Sequence, residues 1–322
     1  MDFEGKFDLV RDNTAELITE EEIKQLLQTK DKPVVYCGYE PSGPVHLGHL
    51  VTITKLIQLQ KAGFKVKILL ADWHAWMNKK GDWNLIEEQV RLWKKTFEAL
   101  GLEKAEYVKG TDFQRKKEYI DDLFLLSINT TVQRGLRSMQ EVARDVEHAY
   151  VSQVIYPLMQ VNDIKHLGVD VAQAGIEQRK IHMLAREILD VVGCKKPMFV
   201  HTPLVNSLQG PGKKMSSSIP ESLISVSDSE EGIKAKLKKA YCLEGEAEGN
   251  PVLEIARLVV FPRIKSFDVQ RPEKFGSNVS FSNYPELERA FVEKKLHPMD
   301  LKDAVGIHLI RILANARKAT HK

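Results

Sequence analysis

The decapeptide Glu40-Pro41-Ser42-Gly43-Pro44-Val45-His46-Leu47-Gly48-His49 joins two segments with different apolar patterns. The continuous apolar run 33–39 precedes it and is typical of a buried strand. An apolar repeat of helical spacing follows it, beginning with Leu50 and Ile53. The decapeptide is therefore predicted to be a strand-to-helix turn. Because the first turn of a helix presents unpaired N–H groups and the positive end of its dipole, this stretch is a candidate anion site.

Two histidines and a glycine lie at the end of this turn. His46 and His49 are three residues apart, which predicts that they share one helical face. Gly48 between them leaves room for a flat ring or a phosphate to approach the backbone. On this tetrapeptide alone, the preferred interpretation is a capped helix with one surface histidine and one packed histidine.

A second stretch, Gly210-Pro211-Gly212-Lys213-Lys214-Met215-Ser216-Ser217-Ser218, changes that interpretation. Its glycines predict a mobile loop, and its ammonium and hydroxyl groups suit a polyphosphate. His46 to His49 resembles the "HIGH" motif of class I aminoacyl-tRNA synthetases, and Lys214 to Ser218 resembles their "KMSKS" motif. Either motif alone is weak, but the pair in this order and near this separation is a strong indication of that class.

Length and composition indicate a globular protein of about two domains, since the chain has 322 residues of which 43% are apolar. A formal net charge of +3 allows local basic patches without demonstrating nucleic-acid binding. Cys37, Cys194 and Cys242 form no metal or redox motif, so we expect buried thiols in a reducing compartment. No apolar stretch is long enough to span a bilayer, so we expect a cytoplasmic protein without membrane contact.

The order of segments predicts a parallel sheet. The run 66–71 is a second predicted strand after the helix, and strand, helix and strand in succession form a crossover unit of a doubly wound sheet. Ligands of such sheets collect at the carboxyl ends of the strands, where Gly38, Glu40 and residues 71–74 are expected. The preceding segment is predicted to form a helix that opens with a capping box at Thr19.

A later helix carries three polar residues among apolar neighbours. Tyr156, Gln160 and Asp163 follow the spacing i, i+4 and i+7, so they lie on one helical face. Such groups need hydrogen-bond partners when they are buried. From the residues alone, either a core hydrogen-bond network or a binding pocket explains them, and Gln178, after a predicted strand 169–174, adds a further amide.

Beside the two motifs, these residues closely resemble those of tyrosyl-tRNA synthetases of the archaeal and eukaryotic branch, over essentially the whole chain. The resemblance implies an α/β fold with a Rossmann-like doubly wound parallel sheet, a helical connective insert and a C-terminal α-helical anticodon-binding domain. It implies an N-terminal helical appendage at 1–33 and a catalytic domain at 34–224. Within that domain the insert covers 108–150 and the Lys-Met-Ser-Ser-Ser loop covers 210–220, and the anticodon-binding domain follows at 225–322.

The resemblance also implies the activity, which is that of a tyrosine–tRNA ligase. Such an enzyme activates L-tyrosine with ATP, accompanied by Mg²⁺, and transfers the tyrosyl group to the 3′ end of tRNA(Tyr), and it is expected to act as a homodimer. The implied tyrosine pocket consists of Tyr36, Tyr156, Gln160, Asp163 and Gln178. The implied ATP contacts are Gly38, Glu40, His46, Gly48, His49, Lys214, Ser216 and Ser217. The implied tRNA contacts are Arg137, Arg179, Lys180, Phe275, His297 and Asp300, and no dedicated metal site is expected.

The expected chemistry needs no protein nucleophile, because the carboxylate of tyrosine attacks the α-phosphorus of ATP. Catalysis then comes from positioning and charge stabilisation, for which His46, His49 and Lys214 are the candidates. This chain departs from the motif by lacking its second lysine, and Lys213 precedes the motif instead. Pro220 favours extended backbone at Ile219, directly after the motif, so we expect loop motion that differs from other members.

Three alternatives remain open from the residues. Tryptophanyl-tRNA synthetases share the same plan, although Tyr36 with Asp163 favours a phenol over an indole. A small-molecule nucleotidyltransferase also uses a His-x-Gly-His turn, but the Lys-Met-Ser-Ser-Ser loop and the C-terminal helices argue against it. A non-catalytic RNA-binding module is disfavoured by the full set of phosphate and pocket residues.

Overall fold

The chain divides into two compact units in a computed structural model that describes residues 1–141, 148–215, 219–271 and 273–320. The first unit contains Met1–Ser42, Lys55–Lys94 and Glu103–Pro203. The second contains Gly43–Thr54, Lys95–Leu102 and Leu204–Lys322.

The first unit is built on a six-stranded, mostly parallel sheet, as the sequence predicts. Its strands are β1 (Glu16–Ile18), β2 (Val34–Tyr39), β3 (Lys65–Leu70), β4 (Glu106–Lys109), β5 (Val171–Gly175) and β6 (Met198–Thr202). The spatial order is β1-β6-β5-β2-β3-β4, and only β1 runs antiparallel to its neighbour. β2 and β5 lie in the interior of the sheet, which explains their almost continuous apolar sequence.

Helices precede, connect and follow these strands along the chain. They are α1 (Phe3–Arg11), α2 (Glu20–Thr29), α3 (Leu47–Lys61), α4 (Asp72–Met77), α5 (Trp83–Phe97), α6 (Lys117–Ile128), α7 (Val132–Met139), α8 (Val151–His166) and α9 (Arg179–Ile188). The division between the units passes through α3 and α5. The predicted helices after the decapeptide, in the insert and around Asp163 are thus confirmed as α3, α6 with α7, and α8.

The N-terminal segment contains an edge strand in addition to the predicted helix. The capping box at Thr19 is confirmed: its hydroxyl accepts from the Glu22 N–H, and the Glu22 carboxylate accepts from the Thr19 N–H. In addition, Glu16–Ile18 forms β1 at the edge of the sheet, in register with Phe199–His201 of β6. The segment therefore supplies an edge strand as well as two helices.

The second unit is mainly helical with two small antiparallel sheets. Its remaining elements are β7 (Asn206–Ser207), β8 (Gly210–Lys214), α10 (Glu230–Lys239), α11 (Pro251–Ile255), β9 (Phe267–Val269), β10 (Val279–Phe281), α12 (Tyr284–Val292) and α13 (Pro298–Thr320). The helical spacing of Leu301, Val305 and Leu309 predicts a closing helix, which is confirmed as α13 with all three residues buried. α10 packs against it, with Leu237 beside Gly306, and both Ile233 and Leu237 of α10 are buried.

One helix start that the sequence predicts is wrong. Ser227-Asp228-Ser229-Glu230 has the spacing of a capping box, which predicts a helix that opens at Ser227. In the structure α10 begins at Glu230 and its cap is Ser229, whose hydroxyl accepts from the Gly232 N–H. Ser227 instead donates its N–H to the hydroxyl of Ser225. Ser227 and Ser229 offer equivalent caps in the sequence, and hydrogen bonds to the Ser225 hydroxyl engage Ser227 instead.

The three cysteines are free thiols. Cys37 is buried as expected, whereas Cys194 and Cys242 are only partly buried. Taking the described ranges together, no helix has both the length and the apolar character that crossing a bilayer requires.

Candidate active site

The His-x-Gly-His turn lies in the second unit, at the start of α3. His46 precedes the helix and His49 lies in its first turn, yet their ring centroids are 3.9 Å apart. The Nδ1 atom of His49 accepts from the His46 N–H at 3.2 Å, and Nδ1 of His46 accepts from the Gly48 N–H at 3.1 Å. An imidazole that accepts on Nδ1 carries its proton on Nε2. The turn therefore sets both histidines as Nε2–H donors.

Burial keeps these imidazoles neutral. It lowers the pKa of His46 to about 4, and it also lowers the pKa of His49 well below its ordinary value, with a smaller contribution from the neighbouring His46. Near pH 7 the two rings therefore act as neutral hydrogen-bond donors. Any positive charge at this turn comes instead from the helix dipole.

Gly48 is needed for the His46 ring. A β-carbon at this position would lie 2.9 Å from Cε1 and 3.1 Å from Nδ1 of His46. The predicted free space beside the glycine is thus occupied by an imidazole of the same motif. The glycine allows that imidazole to fold back onto the helix N-terminus.

The turn is hydrogen-bonded to the segment that follows the Lys-Met-Ser-Ser-Ser stretch. The N–H of Leu47 donates to the carbonyl of Ile224 at 3.0 Å, and the N–H of Val226 donates to the carbonyl of Val45 at 2.8 Å. His46 and Ser225 form an isolated antiparallel bridge between these bonds. The two motifs therefore belong to one unit, joined by backbone pairing just downstream of the second motif.

The expectation of a mobile loop from Gly210 onward is wrong for its first part. Gly210–Lys214 forms β8, which pairs with β7 so that Lys214 lies opposite Asn206. Gly210 and Gly212 keep positive φ angles of 115° and 76°, which accommodates their irregular backbone within the hairpin. The backbone of Lys214 is thus placed in a strand, while its side chain, Ser216 and Ser217 lie outside the part that the structure describes.

Asp163 lies at the centre of a buried polar network in the first unit. Its side chain is fully buried on α8, and its Oδ1 accepts from Gln114 Nε2 at 2.8 Å and from the Tyr119 hydroxyl at 2.9 Å. Its Oδ2 has no hydrogen-bond partner within the described part of the chain. Burial raises the pKa of Asp163 to about 7, with Gln114 and Tyr119 opposing the rise. One oxygen is thus held by the protein, and the other remains available as an acceptor.

His74 and Tyr36 border this carboxylate. Nε2 of His74 lies 3.9 Å from Oδ2 of Asp163, and neither ring nitrogen of His74 has a hydrogen-bond partner among the described residues. Burial lowers the pKa of His74 to about 4, so its ring is neutral. Burial and the charge of Asp163 raise the pKa of Tyr36, so its hydroxyl stays protonated.

The other two polar residues of α8 have different partners. The hydroxyl of Tyr156 donates to Oε2 of Glu40 at 3.2 Å, and Asn78 Nδ2 donates to the same oxygen at 2.6 Å. Gln160 Nε2 donates to Oε1 of Gln178 at 3.2 Å. All five predicted tyrosine-pocket residues and Glu40 therefore belong to the first unit. Gly38, also in β2, is exposed and has Tyr36 as its nearest side-chain neighbour.

The predicted tRNA contacts differ in how far they are already engaged. Arg137 on α7 and His297 before α13 are exposed, and Asp300 is partly exposed. Arg179 makes three hydrogen bonds of 2.8–3.0 Å to the carboxylate of Glu16, and Lys180 lies 3.1 Å from Glu141. The backbone of Phe275 lies in a 3₁₀ turn, and its side chain is outside the described part.

Sequence reasoning missed three residues of the Asp163 network. Gln114 and Tyr119 lie 49 and 44 residues before Asp163 and belong to the insert, where the sequence indicated no residue of the tyrosine pocket. His74 was placed at a strand end without a role. Its position after β3, at the edge where ligands of parallel sheets collect, was the one signal that the sequence contained.

Comparisons with known proteins identify the family of the chain. The family model described as "tRNA synthetases class I (W and Y)" matches residues 28–314. The tyrosine–tRNA ligase of Methanopyrus kandleri is 49% identical over 321 residues, which is 99% of this chain and 98% of that one. That of Methanocaldococcus jannaschii is 49% identical over 314 residues, covering 97% of this chain and 99% of that one.

Solved structures give the same result. Tyrosyl-tRNA synthetase from Archaeoglobus fulgidus, solved in complex with L-tyrosine, is similar with a TM-score of 0.96 and 47% identity over 99% of this chain and 100% of that one. Tryptophanyl-tRNA synthetase from Aeropyrum pernix reaches a TM-score of 0.75 at only 22% identity, over 94% of this chain and 82% of that one, which shows a shared fold alone. The tryptophanyl alternative is therefore the weaker one. The chain belongs to the class I tRNA synthetases for tryptophan and tyrosine and, within them, to the archaeal type of the tyrosine–tRNA ligase family.

Proposed function

We propose that this protein activates L-tyrosine with ATP to tyrosyl-adenylate and transfers the tyrosyl group to the 3′ end of tRNA(Tyr). The observation that supports this most directly is the buried carboxylate of Asp163, whose Oδ2 has no donor among the residues that the structure describes. A buried acceptor of this kind costs free energy unless a ligand supplies a donor. A phenol hydroxyl is such a donor, whereas the side chain of phenylalanine offers none.

The tyrosine pocket that we propose uses five side chains of the first unit. Tyr36 and Asp163 hydrogen-bond the phenol, while Tyr156, Gln160 and Gln178 hold the amino end and the ring. Support comes from burial and from the amide pair Gln160–Gln178, whose remaining donors and acceptors suit an ammonium group and its neighbouring atoms. A pocket that pairs with a hydroxyl rejects the analogue that lacks it, because the protein groups then stay unpaired.

The contacts to ATP that we propose come from Gly38, Glu40, His46, Gly48, His49, Lys214, Ser216 and Ser217. The Nε2–H tautomers of His46 and His49 support this assignment, since both would donate to phosphate oxygens. The tyrosine carboxylate oxygen forms a bond to the α-phosphorus while the bond to the pyrophosphate oxygen breaks. Lys214 stabilises the negative charge that the leaving pyrophosphate gains. Mg²⁺ enters with the triphosphate and is held chiefly by phosphate oxygens and water.

For tRNA we propose contacts from both units. Arg137, Arg179 and Lys180 are assigned to the acceptor stem, and Phe275, His297 and Asp300 to the anticodon. An exposed guanidinium or ammonium suits phosphates, and a carboxylate accepts hydrogen bonds from guanine. On this assignment residues 225–322 act as the anticodon-binding domain, residues 34–224 carry the catalytic chemistry and residues 1–33 are an appendage. The proposed role in protein synthesis and the three free cysteine thiols support a cytoplasmic location.

We further propose a homodimer formed through the insert. Phe124 and Ile128 on α6 are 64% and 78% exposed, and Val132 at the start of α7 is 61% exposed. Large apolar side chains grouped on neighbouring helical turns are typical of an interface. Ile128→Lys should convert the dimer to a monomer in sedimentation velocity, whereas an unchanged sedimentation coefficient would place the interface elsewhere.

The function is tested by ATP–pyrophosphate exchange with tyrosine, phenylalanine and tryptophan. We expect exchange with tyrosine, and we expect Asp163→Ala to reduce the ratio of kcat/KM for tyrosine over phenylalanine while the variant still folds. Exchange stimulated by tryptophan instead would assign the tryptophanyl activity. An unchanged selectivity in Asp163→Ala would remove this carboxylate from the pocket.

A further inference from the structure

Glu16 of the edge strand β1 holds the guanidinium of Arg179, the first residue of α9. Arg179 donates from Nε to both carboxylate oxygens of Glu16, at 3.0 and 2.8 Å, and from Nη2 to Oε1 at 2.9 Å. One edge of the planar guanidinium is thus bound by protein. Among the described residues, Nη1 has no hydrogen-bond partner, although the side chain is 47% exposed. The outer part of Arg179 is therefore oriented and open to solvent.

The carboxylate of Glu16 is itself held from the interior of the first unit. Nδ1 of His201 lies 3.1 Å from Oε2 of Glu16, and Nδ1 of His182 lies 2.8 Å from Nε2 of His201. Burial lowers the pKa of both imidazoles, so they are neutral at pH 7. Because a carboxylate only accepts, His201 donates Nδ1–H to Glu16 and His182 donates Nδ1–H to His201. This chain of hydrogen bonds joins the surface carboxylate to two buried side chains.

The start of α9 is an unfavourable place for cations. Arg179 and Lys180 open the helix, and its first turn contains no acidic residue, although the positive end of the helix dipole disfavours cations there. Hydrogen bonds from Arg179, and to a smaller extent from His201, lower the pKa of Glu16 below its ordinary value, so Glu16 is ionised at neutral pH. Glu16 therefore fixes a cation at a position where the stability of the helix does not require one.

A second ion pair between the same two segments leaves much less of its cation accessible. Arg186 lies two turns further along α9 and donates from Nη1 and Nη2 to the two oxygens of Glu22, at 2.9 and 3.0 Å. Its Nη1 also donates to the carbonyl of Pro197 at 3.1 Å. The side chain of Arg186 is 20% exposed, against 47% for Arg179. Arg186 therefore serves the packing of the N-terminal segment, whereas Arg179 is held in place and stays accessible.

We propose that Glu16 is a positioning residue for tRNA, which orients the guanidinium of Arg179 so that Nη1 meets the acceptor stem. It rests on the proposed contact of Arg179 with tRNA and adds the residue that orients this contact. A guanidinium has five N–H groups, and Glu16 takes one from Nε and one from Nη2. A phosphate or a base edge can therefore bind Arg179 without displacing Glu16, and it meets a side chain that is already ordered.

The test compares aminoacylation of transcribed tRNA(Tyr) with ATP–pyrophosphate exchange, because only aminoacylation requires tRNA. Ordering a long side chain on binding weakens affinity by about two- to twelvefold, so we expect Glu16→Ala to raise KM for tRNA about fivefold. Pyrophosphate exchange with tyrosine should change less than about twofold.

Two further variants separate the length of the Glu16 side chain from its charge. Glu16→Gln keeps an acceptor oxygen at the same reach and should leave KM for tRNA within about twofold of wild type. Glu16→Asp keeps the charge but is one methylene shorter, so it should raise KM nearly as much as Glu16→Ala, and it decides if the alanine variant does not fold. Equal KM values for Glu16→Gln and Glu16→Asp would overturn the positioning role.

Glu22→Ala is the matched control. It breaks the ion pair with Arg186 and the capping box at Thr19, so it should lower Tm at least as much as Glu16→Ala. We expect its KM for tRNA to stay at the wild-type value. An equal rise in KM for Glu22→Ala and Glu16→Ala would mean that general loosening of the N-terminal segment causes the effect, and the positioning role would be wrong.

A double-mutant cycle with Arg179→Ala separates this inference from the proposed tRNA contact. If Glu16 acts through Arg179, adding Glu16→Ala to Arg179→Ala should not raise KM for tRNA further. A rise in Arg179→Ala without a rise in Glu16→Ala would leave the contact standing and remove the role of Glu16. A fall in KM in Glu16→Ala would show that the carboxylate competes with tRNA. If Arg179→Ala leaves KM unchanged, the proposed contact itself fails, and the role of Glu16 fails with it.

Discussion

Removal of the Tyr119 hydroxyl should change the pH at which the protein uses tyrosine. That hydroxyl is 2.9 Å from Oδ1 of Asp163 and 3.0 Å from the carbonyl of Met159, so both acceptors share one hydrogen. Tyr119→Phe removes the donor and keeps the ring, which packs edge-on against Phe113 at 5.6 Å. The ionised form of Asp163 then loses one of its two protein donors, so its pKa should rise.

The size of the rise follows from the strength of the bond. A hydrogen bond to a charged group contributes about 1.5–3 kcal/mol, and about 1.4 kcal/mol corresponds to one pKa unit. Because Met159 competes for the same hydrogen, we take about one unit, which moves the pKa of Asp163 from about 7 to about 8. The ionised fraction at pH 7 then falls from about one half to about one tenth. We expect kcat/KM for tyrosine to fall about fivefold at pH 7 and by less than about 10% at pH 9.

The assay is the pH profile of kcat/KM for tyrosine in pyrophosphate exchange, which reports ionisations of the free enzyme. Tyr150→Phe is the matched control, because its ring is 63% exposed and distant in sequence from the Asp163 partners. Phenylalanine is the second control, since its use does not require an acceptor at Asp163. An equal loss at pH 7 and pH 9, or a profile with an unchanged midpoint, would refute the link between Tyr119 and the ionisation of Asp163.

Three further predictions concern other parts of the chain. In pre-steady-state measurements, Lys214→Ala should slow adenylate formation by a factor at least tenfold larger than the factor by which it weakens tyrosine binding. Lys213→Ala should show no such difference. Similar effects of the two variants would mean that Lys214 is not the residue that stabilises the leaving pyrophosphate. Gly48→Ala should lower kcat several-fold with little change in KM for tyrosine, because the new β-carbon displaces the His46 ring; an unchanged kcat would count against His46. Burial lowers the pKa of His182 in the folded state below that in the unfolded chain, which is about 6.5. The unfolded chain therefore binds the proton first, and the folded protein loses stability as pH falls below about 6.5. His182→Gln should therefore reduce the drop in Tm between pH 7.5 and pH 5, and an equal drop would show that other groups dominate.

The regular elements were predictable because their signals are local. The apolar run of β2, the helical repeat of α3 and the capping box at Thr19 each lie within about ten residues, and each is confirmed. Local reasoning failed where tertiary pairing decides between equivalent choices. Gly210 and Gly212 predict a loop, but pairing with Asn206 extends a strand through them.

The hydrogen-bond partners of the pocket residues were harder to predict from the sequence than the pocket residues themselves. Tyr156, Gln160 and Asp163 share a helix face, which spacing alone reveals. Gln114 and Tyr119 come from a different helix and the turn before it, and no periodicity links them to Asp163. A hydrogen-bond partner that lies more than 40 residues away is fixed by packing of the insert, so the sequence contains no local record of it.

The two oxygens of the Asp163 carboxylate differ in their hydrogen-bond partners, which explains how one buried group contributes to both folding stability and substrate selectivity. If protein donors satisfied both oxygens, the group would be stable without substrate and tyrosine would add little. If neither oxygen were satisfied, burial would raise the pKa further and the carboxyl would be protonated at neutral pH, when it could no longer accept on both oxygens. Because Gln114 and Tyr119 donate to Oδ1, the pKa of Asp163 stays near 7. Oδ2 meanwhile has no hydrogen-bond donor among the described residues. Selectivity for a hydroxyl then follows from the acceptor that the fold leaves unpaired, and the residues that set it include some that touch only the other oxygen.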